Sequence, residues 1–323
     1  MATPRVGLVL GAGGVAGHAF HAGVLAALAD TTGWDPRSAE IVLGTSAGSM
    51  VGSSLRAGLS APDLFARVTD RSLSPEGREI LAGEPQSSGT WQRVARSGLP
   101  LPASPAMLAH LLRRPWRARP GLVTAALLPH GRFDPATIRE GVDRLLAPRI
   151  EDPLWVAAVR LRDGRRIVFG RPGEPVSEGW SWGQAVAASC AIPGFFAPVL
   201  HDGERYVDGG AHSPTNADLL ADRGLDTVVV LSPMSATRSA GIRGIDAPVR
   251  GMYRLRLAAE VARLRRTGVS VFVFQPTREV LAAAGINAMD PARRVPVARA
   301  AHAAASRRLD EGTGDALTAA LAA

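Results

Sequence analysis

The pentapeptide Gly44-Thr45-Ser46-Ala47-Gly48 constrains this chain more than any other stretch. It follows the strand-like run Glu40-Ile41-Val42-Leu43 and leads into a small-residue segment carrying Met50, Val51 and Leu55. A Gly-x-Ser-x-Gly between a strand and a helix reads as a nucleophile elbow, a sharp turn that exposes the serine hydroxyl while its glycines let neighbouring backbone pass close by. The same five residues also suit an ordinary Gly-rich turn. What accompanies them decides between the two.

Upstream, Arg5 to Leu10 reads as a short buried strand closed by Gly11-Ala12-Gly13-Gly14. A helix follows, with Phe20, Val24, Leu25 and Leu28 at helical spacing, stopped near Asp30 and Gly33. Strand, glycine loop, helix, strand, elbow, helix is the opening of a parallel, helix-covered sheet. A glycine loop opening a helix points free backbone N–H groups at one spot, a cradle suited to the oxyanion of acyl transfer. The competing reading, the dinucleotide fingerprint Gly-x-Gly-x-x-Gly, fails in both frames because positions 12 and 16 are Ala12 and Ala16. A serine elbow also stands where an acidic ribose ligand would be expected.

Further strand-like runs occur at Trp155–Leu161, Arg166–Phe169, Arg205–Val207, Thr227–Leu231 and Val269–Phe274. The stretch Arg293–Leu321 is alanine-rich and reads as helical. A serine needs a base to attack at neutral pH. The best candidate ends the run Arg205-Tyr206-Val207-Asp208-Gly209-Gly210, where two glycines let Asp208 approach another backbone turn. A surface Asp-Gly-Gly turn is the alternative. His212 and His302 follow Asp208, so a Ser–acid–His order can be written. His212 is too near Asp208 for that arrangement, and only two strands precede Ser46. His18 and His21, on the first helix, receive no role. Cys190 lies in an apolar run and is expected to pack rather than react, and Trp180 and Trp182 are expected to pack against the sheet.

Composition removes several chemistries. All 37 basic residues among the 323 are arginine, which excludes a Ser–Lys dyad, a lysine Schiff base and a P-loop lysine. One cysteine excludes an internal disulfide framework. No apolar run reaches the roughly 18 residues of a membrane span, and Val6–Leu10 is too short for a signal peptide's apolar core. A cytoplasmic location, or one peripheral at a membrane, is therefore expected. The net charge of +8 invites an anionic partner, although genome base bias also enriches arginine. From Pro85 to Phe133 there is no acidic residue, while Arg93, Arg96, Arg113, Arg114, Arg117, Arg119 and Arg132 are interleaved with Trp91, Trp116, Leu99, Leu101, Leu108, Leu111 and Leu112. Arginine beside Trp and Leu suits shallow insertion at an anionic bilayer; a merely solvated surface is the alternative. No nucleic-acid motif is present, and nucleic acid is not expected as a partner.

The glycine loop, Gly-x-Ser-x-Gly and Asp-Gly-Gly, in that order, together resemble the patatin-like phospholipase family. The segment Ala188-Ser189-Cys190-Ala191-Ile192-Pro193-Gly194-Phe195-Phe196-Ala197-Pro198 is similar to that family's Ala-Ser-x-x-x-Pro-x-x-Phe-x-Pro pattern. The resemblance covers about 5–58 and 182–235. It implies a three-layer α/β/α fold with a central, mostly parallel sheet. One domain over 1–323 is expected, with core blocks at 5–58 and 155–275, a helical proline- and arginine-rich insertion at 60–153 and a helical tail at 293–321. By matching positions, Ser46 would be the nucleophile, Asp208 the base, and Gly13 and Gly14 the oxyanion donors, with Gly11, Gly44, Gly48, Gly209 and Gly210 as motif glycines. The implied reaction is hydrolysis of lipid carboxylic esters, of phospholipid or lysophospholipid, through an acyl-serine; no metal or cofactor is implied. Ala12 and Ala16 depart from the family loop, which usually carries glycine and arginine there. A soluble-substrate esterase or thioesterase, and a non-catalytic arginine-rich anion- or membrane-binding protein, remain as other readings.

Overall fold

The computed structural model describes residues 4–82, 92–94, 101–146, 153–174, 179–240 and 247–322, apart from the side chains of Arg117 and Ala322. Strand β1 (Val6–Leu10) passes through the glycine loop into α1 (Gly14–Thr32), which stops on left-handed Gly33. Strand β2 (Ile41–Gly44) then turns at Ser46 into α2 (Ala47–Arg56). Among the described residues five helices follow: α3 (Ala61–Val68), α4 (Pro75–Leu81), α5 (Pro105–Arg113), α6 (Pro120–Leu127) and α7 (Ala136–Leu145). Four of them, α3 to α6, begin with proline at the first or second position, where a missing N–H costs nothing. Ser60, Ser74 and Ser104 cap α3, α4 and α5 through their side chains. The chain then forms β3 (Leu154–Arg160), β4 (Arg166–Phe169), α8 (Trp182–Ser189), β5 (Val199–His201), β6 (Glu204–Asp208) and β7 (Thr227–Leu231). It ends with α9 (Ala247–Arg266), β8 (Ser270–Phe274), α10 (Arg278–Ala284), α11 (Arg294–Arg308) and α12 (Gly314–Ala322).

The sheet is mixed. Its centre, β3-β2-β1-β7-β8, is parallel, while β4 and β6 run antiparallel to β3, and β5 antiparallel to β6. Register explains how distant pieces meet. Val156 pairs with Gly44 on β2 and Phe169 on β4, whereas Ala158 pairs with Ile167 on β4 and Asp208 on β6. A strand residue has one neighbour on each side, so β4 occupies one edge of β3 and β2 and β6 share the other. Both run toward the same point and stop there. Gly44 and Asp208 lie opposite β3 residues two positions apart, about 7 Å along the strand.

Alternation along the strands builds two cores. Leu8, Leu10, Val42, Val156, Val229 and Leu231 face one side with α1, α2, α8 and α11, and Val9, Leu43, Trp155, Val228 and Val230 face the other with α9. That is the three-layer α/β/α arrangement. A third cluster seats Met107, Leu111 and Leu122 of α5 and α6 on Val159 of β3 and Val207 of β6, beside the strand that ends in Asp208.

Helix α9 and strand β5 are not foreshadowed by the sequence reading, and the helical tail is broken by a kink at Glu311 and Gly312 between α11 and α12. Trp91, Arg96 and Leu99 lie outside the described residues.

Glycine is required at the elbow. A Cβ on Gly48 would run into the Leu10 carbonyl, and one on Gly44 into the Ser49 backbone. Gly141 in α7, by contrast, has nothing within 4 Å of a Cβ. Gly48→Ala should therefore lower unfolding free energy by about 3 kcal/mol, whereas Gly141→Ala should raise it by about 0.5–1 kcal/mol. Urea denaturation of the two variants beside the parent chain checks both signs.

Candidate active site

Ser46 adopts φ 54° and ψ −122° at the head of α2, a conformation that L-residues occupy only under constraint. A serine at a helix start ordinarily turns its hydroxyl back to cap the first turn. Ser46 makes no such bond, so its hydroxyl is left for other work. The strained turn is held from outside. The Ser46 N–H donates to Ser189 Oγ at 2.8 Å, and Ser189 Oγ in turn donates to the Ala157 carbonyl at 2.7 Å. Ser49 Oγ donates to the Ser46 carbonyl at 2.7 Å.

Asp208 ends β6 and is almost fully buried. Burial pushes its carboxyl up to about 6, and hydrogen bonding with the Ser46 side chain and the Gly210 N–H restrains that rise. The Gly210 N–H lies 2.7 Å from Asp208 Oδ1. The Asp208 N–H donates to the Ala191 carbonyl at 3.0 Å. The end of α8 thus grips both partners, through Ser189 on the serine side and Ala191 on the acid side.

The glycine loop leaves β1 beside the elbow, since Leu10 pairs with Gly44. Two of its amides are spent: Gly11 N–H bonds the Leu231 carbonyl at 3.0 Å and Ala12 N–H the Pro214 carbonyl at 2.8 Å. Among the described residues, the Gly13 and Gly14 N–H groups have no protein acceptor. Gly14, at φ 61°, opens α1, so the helix dipole reinforces the donors there. Gly209 packs on Ala157, where a Cβ would strike the Ala157 carbonyl.

Several supports were not singled out from the sequence. His21 is buried, its ring held near pKa 4 chiefly by desolvation, so it is neutral and its Nε2–H donates to the Gly11 carbonyl at 2.7 Å. Glu260 of α9, also buried, accepts from the Ser213 and Thr215 hydroxyls at 2.6 Å each and from the Ala217 N–H at 2.9 Å. Asn216 in the same loop donates to Thr45 Oγ1 at 3.1 Å. Since Pro214 holds Ala12, one loop ties α9 to both the elbow and the glycine turn. The only prior signal was Ser189 inside the family-like segment; buried polar residues on α1 and α9 look like any helix residue in sequence.

The histidine alternatives are occupied elsewhere. His212 Nδ1 accepts from Arg119 at 3.0 Å, and burial with nearby arginines lowers its pKa to about 3. His302 pairs with Asp30 at 3.0 Å on the surface. Among the described residues no imidazole bonds Ser46 or Asp208. Burial pushes the Cys190 thiol far up, against thiolate chemistry. Trp180 stacks with Phe169 and His201, both at 4.4 Å between ring centres, as a packing role requires.

A family model described as patatin-like phospholipase matches residues 8–221, more than half of the chain. The chain belongs to the patatin-like phospholipase family. Membership points to lipid acyl hydrolase activity. It is also similar to the crystal structure of VipD from Legionella pneumophila, at 13% identity and TM-score 0.44, over 96% of this chain and 67% of that one. A second likeness, to the type III effector protein ExoU, has 16% identity and TM-score 0.37, over 95% of this chain but 53% of that one. Likenesses this distant carry no argument about activity. No helix among the described residues is long and apolar enough to cross a membrane.

Proposed function

We propose that the protein hydrolyses carboxylic esters of lipids, phospholipid or lysophospholipid, through a Ser46–Asp208 dyad and an acyl-serine intermediate. The observation that carries this reading is the strained Ser46, its hydroxyl free of capping and facing a buried carboxyl raised to about 6. A base near that value is ionised at neutral pH yet basic enough to take a proton in the transition state. Ser46 Oγ attacks the ester carbonyl as its proton passes to Asp208. The negative oxygen forms against the Gly13 and Gly14 N–H groups. Collapse breaks the C–O bond, and the departing alkoxide takes the proton back from Asp208. A water then attacks the acyl-serine by the same route, releasing the carboxylic acid and restoring the hydroxyl.

The region between α4 and β3 supports contact with a lipid surface. Leu101, Leu112 and Trp116 are 68%, 81% and 78% exposed, and Arg113 and Arg114 beside them are exposed too. Arg93 is exposed as well, with its guanidinium over the Phe133 ring at 6.0 Å. Arg119 departs from the expected surface role: it turns inward to the His212 ring and carbonyl, and burial lowers its pKa to about 10. The apolar and cationic groups that remain suit insertion at an anionic bilayer.

A fluorophosphonate probe should label Ser46, and Ser46→Ala and Asp208→Asn should each reduce ester hydrolysis at least 1000-fold. Full activity in Asp208→Asn would remove the dyad. The pH profile follows from the sign of the shift. Protonation inactivates the base, so kcat/KM should fall tenfold per unit below a midpoint near 6 and level off above it. Sedimentation with phosphatidylglycerol-containing vesicles should retain more protein than pure phosphatidylcholine, less so at high salt or in Trp116→Asp. Equal binding to both vesicle types, or none, defeats the docking role.

A further inference from the structure

A cavity of about 180 Å³ opens beside the glycine loop, walled by α1, α9, α10 and the loop after β7. Gly13, whose N–H has no acceptor among the described residues, is one of its lining residues. From there the walls are Gly17, Phe20, Pro233, Val280, Leu281 and Ala284, with no acidic group among the lining residues. Its rim carries Val249, 44% exposed, and Ile286, 88% exposed, so the apolar lining continues out to the surface. Tyr253 also lines it and feels the Asp208 charge, a second link between the cavity and the catalytic acid.

We propose that this cavity receives the fatty acyl chain of the ester, with the carbonyl at Gly13 and the tail running between α1 and α10 toward Ile286. The inference rests on the acyl-hydrolase reading above and adds where the chain goes. A carbonyl whose oxygen meets the Gly13 N–H must send its next carbons along one of the walls around that loop. The elbow side is filled by Leu10, Thr45 and Gly48, all buried. The side toward α10 is hollow and apolar. At roughly 30 Å³ for a water-sized unit, it holds about six such units, a medium-length acyl segment, with the rest of a longer chain lying over the exposed rim. Burying that segment is favourable by the ordinary hydrophobic contribution of roughly 0.8 kcal/mol per methylene, which gives selectivity for long over short acids. Polar groups at the rim are engaged with the fold: Arg250 donates to the Pro233 and Ser235 carbonyls at 3.2 and 3.3 Å and so braces the wall.

The test uses the full chain. Leu281→Trp and Ala284→Phe each fill the cavity from α10. With p-nitrophenyl decanoate and acetate as substrates, the ratio of kcat/KM for decanoate over acetate should fall at least tenfold in each variant. In the Ser46→Ala protein, cis-parinaric acid should bind saturably and be displaced by palmitate but not by acetate, and either filling substitution should weaken that binding at least tenfold. An unchanged decanoate-to-acetate ratio in a variant whose circular dichroism matches the parent overturns the proposal. So does the absence of saturable parinarate binding to Ser46→Ala, whatever becomes of the filled variants. Failure of the parent chain to hydrolyse either ester, with Ser46 unlabelled by fluorophosphonate, strikes the hydrolase reading instead, and parinarate binding still judges the cavity separately.

Discussion

One edge of β3 organises everything around the candidate site. Because β2 and β6 abut along that edge and stop opposite Val156 and Ala158, the residues at their ends are forced together. No loop has to search for the other. Ser46 and Asp208, far apart in the chain, are positioned by backbone ladders, and the joint is closed by Ser189 at the end of α8 and by Ala191 just after it. The antiparallel departure from an otherwise parallel sheet is therefore the feature that delivers the acid. A wholly parallel sheet would send β6 the same way as β2, and its C-terminal end could not meet the elbow head-on.

Such a joint has an electrostatic consequence. Among the described residues Asp208 has no cationic partner despite the chain's +8 charge, and Ser46 and Gly210 are the groups that offset its desolvation. Its folded pKa of about 6 lies above the ordinary carboxylate value near 3.9. The sign is then fixed: the folded state is favoured below about pH 4, and that advantage is lost as pH rises through 6, to the extent of roughly 3 kcal/mol. An arginine alongside would recover this stability and remove the basicity. Arg166 and Arg256 are instead committed to other acids, Asp218 at 2.7 Å and Glu260 at 3.2 Å. Lower stability at neutral pH is the counterpart of the basicity that the proposed role of Asp208 requires.

Much of this was legible because close backbone approach leaves glycine as its signature. Gly44 and Gly48 cannot carry a Cβ, and the loop after β1 must free its amides, so the motif glycines mark the site in plain sequence. Asp208 was legible through Gly209 and Gly210 for the same reason. Helix α9 was not. Its buried residues Leu257, Val261 and Leu264 keep helical spacing, but Glu260 is buried among them and arginines cover much of the remainder, which blurs the apolar stripe. Three-residue β5 is half-exposed and too short to show alternation. Charge composition also misled at Arg119, because a run of arginines says nothing about which one finds an inward acceptor. The supports at Ser189, His21 and Asn216 depend on partners remote in sequence, and no local pattern announces such a pairing.

Helix α9 joins the two halves of the site. Glu260 fixes the loop after Asp208, and that loop holds Ala12 and Thr45, while Tyr253, two turns earlier on the same helix, lines the cavity beside Gly13. A backbone held at φ 54° costs on the order of 1–3 kcal/mol and persists only where its surroundings leave no alternative. At Ser46 they leave none: its N–H is taken by Ser189, its carbonyl by Ser49, and Gly48 just beyond is packed against the Leu10 backbone. Both backbone groups of the serine are bonded, while its side chain makes no capping bond and is left to Asp208. That asymmetry is what the proposed nucleophile requires: the scaffold holds the strained backbone, and the hydroxyl is not spent on capping its own helix.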